Sequence, residues 1–276
     1  MIEFPEAVTI ARQIGEVLLD RPIASVVIAE DRPKFMFLNE NLDDYASRLV
    51  GRRIVDATAR GKWMPARLDS GDILLLGEMF GRITYVPVDA EPPKKVHASV
   101  SFEGGDRLAI TIQAWGGFLA VTERELADHP YAGTQGPSPT DEAFTPEAFD
   151  RILDEREGWN RKPIKAFLVH EGNVAGIGNG YLQDILFRAG LSPKRKVPDI
   201  SPDERVRLHA AIVETMSDAV ARGGRDTEKD LFGAPGGYVP ILDRRTAGTP
   251  CPNCETPIEK IQYLGGSCYL CPTCQT

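Results

Sequence analysis

Residues 249–276, TPCPNCETPIEKIQYLGGSCYLCPTCQT, carry Cys251, Cys254, Cys271 and Cys274 as one CxxC, sixteen intervening residues and a second CxxC. Each CxxC turn can present two thiolates to one metal, and two such turns joined by a short hairpin complete a closed tetrahedron of sulfur, the spacing of structural zinc. The competing reading is a pair of disulfides. All five cysteines lie in the last 26 residues, and the opening MIEFPEA lacks the basic-then-apolar pattern of a secretory signal. Disulfides belong to oxidising compartments, so zinc is the expectation. A closed site leaves no open position for substrate. The metal is therefore expected to hold a hairpin in shape, and function has to be sought in what that hairpin touches.

The rest of the chain is sized for two or three domains, with 276 residues and 42% hydrophobic content to build cores. No apolar run approaches the about 18 residues that a membrane span needs. A cytoplasmic monomer with no membrane partner is expected. The formal net charge of −8 argues mildly against a polyanionic partner, but the average hides a split. Residues 161–198 carry Arg161, Lys162, Lys165, Arg188, Lys194, Arg195 and Lys196 against Glu171 and Asp184, a net of +5, whereas residues 141–160 sum to −5. Such local steering is compatible with nucleic acid, and two ordinary solvated faces would give the same charges.

Along the chain, Pro5 and Glu6 precede Ala7, Ile10, Ala11, Ile14, Val17 and Leu18, spaced for one face of a helix with proline and an acid in its first turn. From about residue 23 to 122 short β-type runs take over, IASVVIA, KFMFL, RIVDATARGKWMPARL, DILLLGEMFGRITYV, HASVSF and RLAITIQAW, punctuated by DSGD at 69–72 and EGGD at 103–106. This pattern predicts an antiparallel sandwich or barrel. Residues 128–144 are rich in Pro, Gly and Ser and read as a linker. Beyond them Thr145-Pro146 and the capping box Ser201-Pro202-Asp203-Glu204 start helices. Between these, Gly172, Gly176, Gly178 and Gly180 flank Asn173 and Asn179 ahead of a helix start, where backbone N–H groups and the helix dipole suit an anion. A tight connection between helices would need the same glycines.

Taken together, the MIEFPE opening, RGK at 60–62, GEMFGR at 77–82, VAGIGN at 174–179 followed by ILFRAG at 185–190, and the terminal CPTCQ resemble the formamidopyrimidine-DNA glycosylase and endonuclease VIII family of base-excision repair. The resemblance covers nearly the whole chain in one order. It implies an α+β multidomain fold: an N-terminal helix plus antiparallel β-sandwich (1–127), the linker (128–144), a helix-two-turn-helix DNA-binding domain (145–225) and a zinc-binding β-hairpin region (226–276). It implies a partner, double-stranded DNA with a damaged base or abasic site, gripped between two domains. The damaged nucleotide is extruded because a stacked base shields the reacting atoms. An N-terminal amine then attacks the sugar C1′; α-amines as a class keep a sizeable neutral fraction near neutrality.

By position, the resemblance assigns the acid or base at the sugar to Glu3, phosphate contacts to Lys62 and Asn179, the filling of the gap left by the extruded base to Met79, and one structural Zn2+ to Cys251, Cys254, Cys271 and Cys274. Four positions depart from the family pattern. Ile2 stands where the family has the proline that becomes the nucleophile once methionine is removed, and methionine removal needs a small neighbour. The free amine then belongs to Met1, shifted outward by up to about 3.5 Å. Three outcomes stay open: the Met1 amine folds back into the site, Lys62 or another lysine forms the Schiff base, or the protein binds damaged or distorted DNA without cutting. Gly266 stands where the zinc hairpin of the family carries a phosphate-binding arginine. Gln113-Ala114-Trp115-Gly116-Gly117-Phe118 replaces an arginine- and phenylalanine-rich intercalating loop, with Trp115 and Phe118 as alternative wedges. Asp184 replaces a frequent glutamate.

Overall fold

The apolar spacing at the N-terminus becomes helix α1 (Phe4–Leu18) in the computed structural model, which describes residues 1–276. Ala7, Ile10, Ala11, Ile14 and Leu18 are buried on one stripe, and Pro5 sits in the first turn, where its missing N–H leaves no bond unmade. There follow β1 (Ile23–Ile28), β2 (Phe35–Phe37), α2 (Asp43–Leu49), β3 (Ile54–Ala57), β4 (Trp63–Leu68), β5 (Ile73–Gly77), β6 (Gly81–Val86), β7 (Ala98–Phe102), β8 (Arg107–Ile112), β9 (Trp115–Val121) and α3 (Glu123–Asp128). The strands form two sheets, β1-β7-β8-β6 and β2-β9-β5-β4-β3, antiparallel throughout except for β2 with β9.

One core serves both sheets and α1: Ile10 and Ile14 of the helix pack with Leu74, Leu76 and Phe118 of one sheet and Val100, Leu108 and Ile110 of the other. Burying each such side chain stabilises the fold by about 1.5–3 kcal/mol. Two β runs of the sequence are each broken by a turn. Residues 72–86 divide into β5 and β6, which belong to different sheets, and the connecting Glu78 takes a left-handed φ of 43°. Residues 53–68 divide into β3 and β4 around Gly61. The short α2 has no run of apolar residues; Tyr45 stacks on Phe118 at 5.3 Å and hydrogen-bonds its carbonyl, and that tertiary contact fixes the helix.

The chain divides into two compact units, residues 1–134 with 222–237, and residues 135–221 with 238–276. The boundary falls inside the Pro/Gly/Ser-rich stretch, whose later half belongs to the second unit: Gly136 donates to the Glu171 carbonyl at 2.7 Å, and Ala175 donates to that of Pro137 at 3.0 Å. Residues 222–237, which the sequence groups with the helices and the cysteine segment, return to the sandwich. Leu231 is in its core, Gln13 donates to Asp230 at 2.8 Å and accepts from the Leu231 N–H at 2.9 Å, and Tyr85 N–H donates to the Leu231 carbonyl at 2.9 Å.

The second unit contains α4 (Pro146–Glu155), α5 (Ile164–Leu168), α6 (Asn179–Ala189), α7 (Pro202–Ala221) and the hairpin β10 (Glu259–Tyr263) with β11 (Gly266–Leu270). Thr145 caps α4, and Ser201 and Glu204 exchange the two bonds of a capping box at α7. The hairpin closes on Leu264 and Gly265 with φ of 48° and 75°, the two positive values of a type I′ turn. No helix is long and apolar enough to cross a membrane.

Candidate active site and metal centre

The first residues of the chain converge on one arginine. Glu3 is extended and precedes α1, with its backbone N–H bonded to the Glu6 carboxylate at 2.9 Å. Its own carboxylate is fully buried and lies 3.4 Å from the Arg225 guanidinium. Glu6 accepts from the backbone N–H of Arg225 at 3.0 Å and from its Nε at 3.3 Å. Arg225 Nη2 donates to the Met1 carbonyl at 2.7 Å, and the Met1 amine donates to Glu228 Oε1, also at 2.7 Å. Ile2 is buried and donates its N–H to the Met79 carbonyl at 3.0 Å. Gly224 permits the approach: its φ is 93°, and a Cβ there would meet Glu6 Cγ at 2.8 Å.

Lys62 belongs to the same unit. It is buried on the turn before β4, its ammonium 3.9 Å from the Glu78 carboxylate, while Glu78 N–H donates to the Lys62 carbonyl at 3.1 Å. The next residue, Met79, takes the Ile2 N–H, so the backbone brings Lys62 and the N-terminus to the same turn. The Met79 side chain is 0% exposed in the sandwich core. The exposed apolar surface beside it belongs to Phe80 and Trp115, each 38% exposed and stacked at 5.5 Å. Phe118, the other aromatic of that loop, is core.

Asn179 lies in the second unit, at the first residue of α6. Its Nδ2 donates to the Ser267 carbonyl at 2.9 Å, and Gln183 holds the same carbonyl at 3.3 Å and accepts from the Tyr269 N–H at 3.1 Å, tying α6 to β11. Lys165 of α5 is buried, with its ammonium donating to the Tyr263 carbonyl at 2.7 Å and to Cys268 Sγ at 3.2 Å. A Cβ on Gly266 would lie 3.4 Å from that ammonium and 3.5 Å from Asn179 Oδ1.

The ligand atoms of Cys251, Cys254, Cys271 and Cys274 lie within 4.8 Å of one another. Separations of 3.9 Å (251 to 274), 3.4 Å (254 to 271) and 3.3 Å (254 to 274) sit near the about 3.8 Å edge of a tetrahedron with 2.3 Å metal–sulfur bonds. The donor set therefore fits a metal ion. Hydrogen bonding with Thr256 lowers the Cys254 thiol from its ordinary range. The segment is moored by Asp184, which accepts from the Tyr238 hydroxyl at 2.7 Å and from the N–H groups of Ile241 and Leu242 at 2.9 and 2.8 Å. Burial raises the Asp184 carboxyl above its ordinary range, against the pull of those three donors.

The formamidopyrimidine-DNA glycosylase N-terminal domain matches residues 1–113, and the formamidopyrimidine-DNA glycosylase H2TH domain matches residues 135–230. The formamidopyrimidine-DNA glycosylase of Chloroflexus aurantiacus is 32% identical over 100% of this chain and 98% of its own length. That of Geobacillus kaustophilus is 30% identical over 100% of both. The chain belongs to the formamidopyrimidine-DNA glycosylase family. The solved MutM (Fpg) protein of Thermus thermophilus superposes with a TM-score of 0.83 at 30% identity, covering 99% of this chain and 98% of that one. The Lactococcus lactis Fpg in complex with abasic-site DNA shares the fold, with a TM-score of 0.85 at 23% identity over 99% of both chains.

Within this family frame, sequence reasoning missed Arg225, Glu228 and Lys165. The stretch Gly223-Gly224-Arg225-Asp226-Thr227-Glu228-Lys229-Asp230 has neither helical nor strand periodicity, and a double glycine ahead of a dense charge run was its one signal. Lys165 looked like one more cation of a basic stretch. In the fold its ammonium stands beside Gly266 at the start of β11.

Proposed function

We propose that the protein is a monomeric cytoplasmic DNA glycosylase and abasic-site lyase that binds double-stranded DNA containing a damaged base or an abasic site. The observation that carries this reading is the N-terminal cluster: Arg225 holds the Met1 carbonyl and the buried carboxylate of Glu3, and Glu228 holds the Met1 amine, in a chain that matches its family end to end. The Met1 nitrogen is the nucleophile at C1′, and Glu3 is the acid or base at the sugar. Lys62 and Asn179 contact the phosphates that flank the lesion. The carboxyl-terminal cysteines hold one structural Zn2+, whose chemistry is to cross-link the hairpin; a closed four-sulfur shell leaves no position for substrate. Met79, assigned by resemblance to the gap in the stack, is enclosed by core side chains, so the wedge falls to the exposed Phe80–Trp115 stack.

Borohydride trapping on abasic-site duplex DNA, with peptide mapping of the adduct, tests the proposal. A covalent adduct on an amine of this chain together with strand cleavage is the expected result. No adduct and no cleavage across a panel of lesions would refute it, and tight, salt-dependent binding to an abasic analogue under those conditions would establish the alternative, a non-catalytic binder of damaged DNA, which Ile2 favours by excluding the usual proline.

A further inference from the structure

We infer that Glu228 is the proton acceptor for the Met1 amine and that Arg225 is the positioning residue that presents this amine, so that the chain uses an uncleaved methionine as its nucleophile. The inference rests on the reading of Met1 given above. An amine displaced outward by one residue has two problems, freedom and direction, because attack geometry tolerates only about an ångström. The structure answers both. Ile2 is buried and bonded to the Met79 carbonyl, which anchors the residue behind the amine. The carbonyl of Met1 is held by Arg225 Nη2 and its nitrogen by Glu228 Oε1, each at 2.7 Å, so both ends of the terminal residue are gripped.

The grip is itself fixed. Arg225 is seated by Glu3, ahead of α1, and Glu6 of α1, and its segment is pinned to Gln13 of α1 through Asp230 and Leu231. The ionisable groups that face the amine and its acceptor include Glu228 and Arg225, with Glu3 and Glu6 behind the guanidinium. Glu228 Oε1 is also 3.7 Å from Arg225 Nη2. Glu228 and Met1 are the accessible members, 22% and 19% exposed, against 1% for the Glu3 side chain.

On an abasic site the balance is complete without any further reagent. The Met1 ammonium gives a proton to Glu228, the freed lone pair forms the bond to C1′ of the open-chain aldehyde, and the carbonyl π pair moves to oxygen. Two protons leave nitrogen in all, through Glu228, and end on that oxygen, which departs as water while nitrogen forms the C=N⁺ bond. One positive charge enters and one remains.

Trapping on abasic duplex DNA, with peptide mapping and the intact mass of the protein, tests this in the full chain. Glu228→Gln keeps an oxygen that accepts from the amine but cannot take its proton. Its adduct is expected still to map to Met1, forming about 100-fold more slowly near neutral pH and recovering as pH rises and solvent base substitutes. Arg225→Lys keeps a charge beside Glu3 and Glu6 but loses the fork that reaches the Met1 carbonyl. It is expected to slow Met1 trapping by about 10-fold at every pH, with no recovery. Wild-type rate and pH profile in Glu228→Gln, with the adduct on Met1, would overturn the inference and leave the nucleophile standing. An adduct on Lys62 or any other residue, no adduct, or a mature chain that does not begin at Met1 would overturn both.

Discussion

Asp184→Ala removes the acceptor of three donors that moor the cysteine segment to α6: the Tyr238 hydroxyl and the backbone N–H groups of Ile241 and Leu242. Leaving a buried donor unmet costs about 1–3 kcal/mol. The bonds to Tyr238 and Leu242 are fully buried, whereas that to Ile241 is partly open to water and costs little, so two unmet donors cost about 2–6 kcal/mol and the expected loss is about 2–4 kcal/mol after crediting the carboxylate's own desolvation. Against a total of about 5–15 kcal/mol this is a large fraction. The folded pKa of Asp184 is raised, so its ionisation opposes folding: its contribution is most favourable below the unfolded value and declines as pH rises through the folded one. The wild-type protein should thus lose some stability with rising pH that Asp184→Asn does not lose. Urea unfolding followed by circular dichroism, with metal release read by a chromophoric chelator, measures both. If Asp184→Ala stays within about 1 kcal/mol of wild type, water has replaced the three bonds and the mooring argument fails.

Other outcomes follow from the same geometry. On the zinc site proposed above, Cys251→Ser or Cys271→Ser should lower bound metal to near none and expose residues 238–276 to protease, as measured by metal analysis and limited digestion. The Arg48 guanidinium, and next the Thr122 N–H, hold the Glu125 carboxyl down to about 2, below the unfolded value, so the stability it supplies is present above about 4.3 and lost as pH falls towards 2. Glu125→Gln should flatten that acid limb of the melting temperature against pH. Trp115→Ala should weaken binding to an abasic duplex by about 10-fold, one lost stacking contact, while leaving intact-duplex affinity unchanged in an anisotropy titration.

Local chemistry made much of this fold legible. The helix start at Pro5 and Glu6, the capping box at Ser201 and the glycine-rich turn ahead of α6 are each written within a few residues, and each forms where its sequence predicts. What escaped depends on partners distant in the chain. The run at 72–86 looks continuous because both halves are apolar, and only the pairing of β5 with β4 and β9, and of β6 with β8, shows that it changes sheets. Met79 has the same composition whether it faces DNA or the core, and the contacts of β9 decide. Arg225 and Glu228 act on residues more than two hundred positions earlier, and no local pattern encodes that contact.

That distance gives the return of residues 222–237 to the sandwich a consequence in time. Met1 is made long before Glu228, which follows most of the second unit, and at about 5–20 residues per second the interval is on the order of 10–50 s. Throughout it the amine is free of its grip and open to processing or acylating enzymes. The grip on the first residues is thus the last part of the first unit to close, and that unit has to wait for a segment made after most of the second.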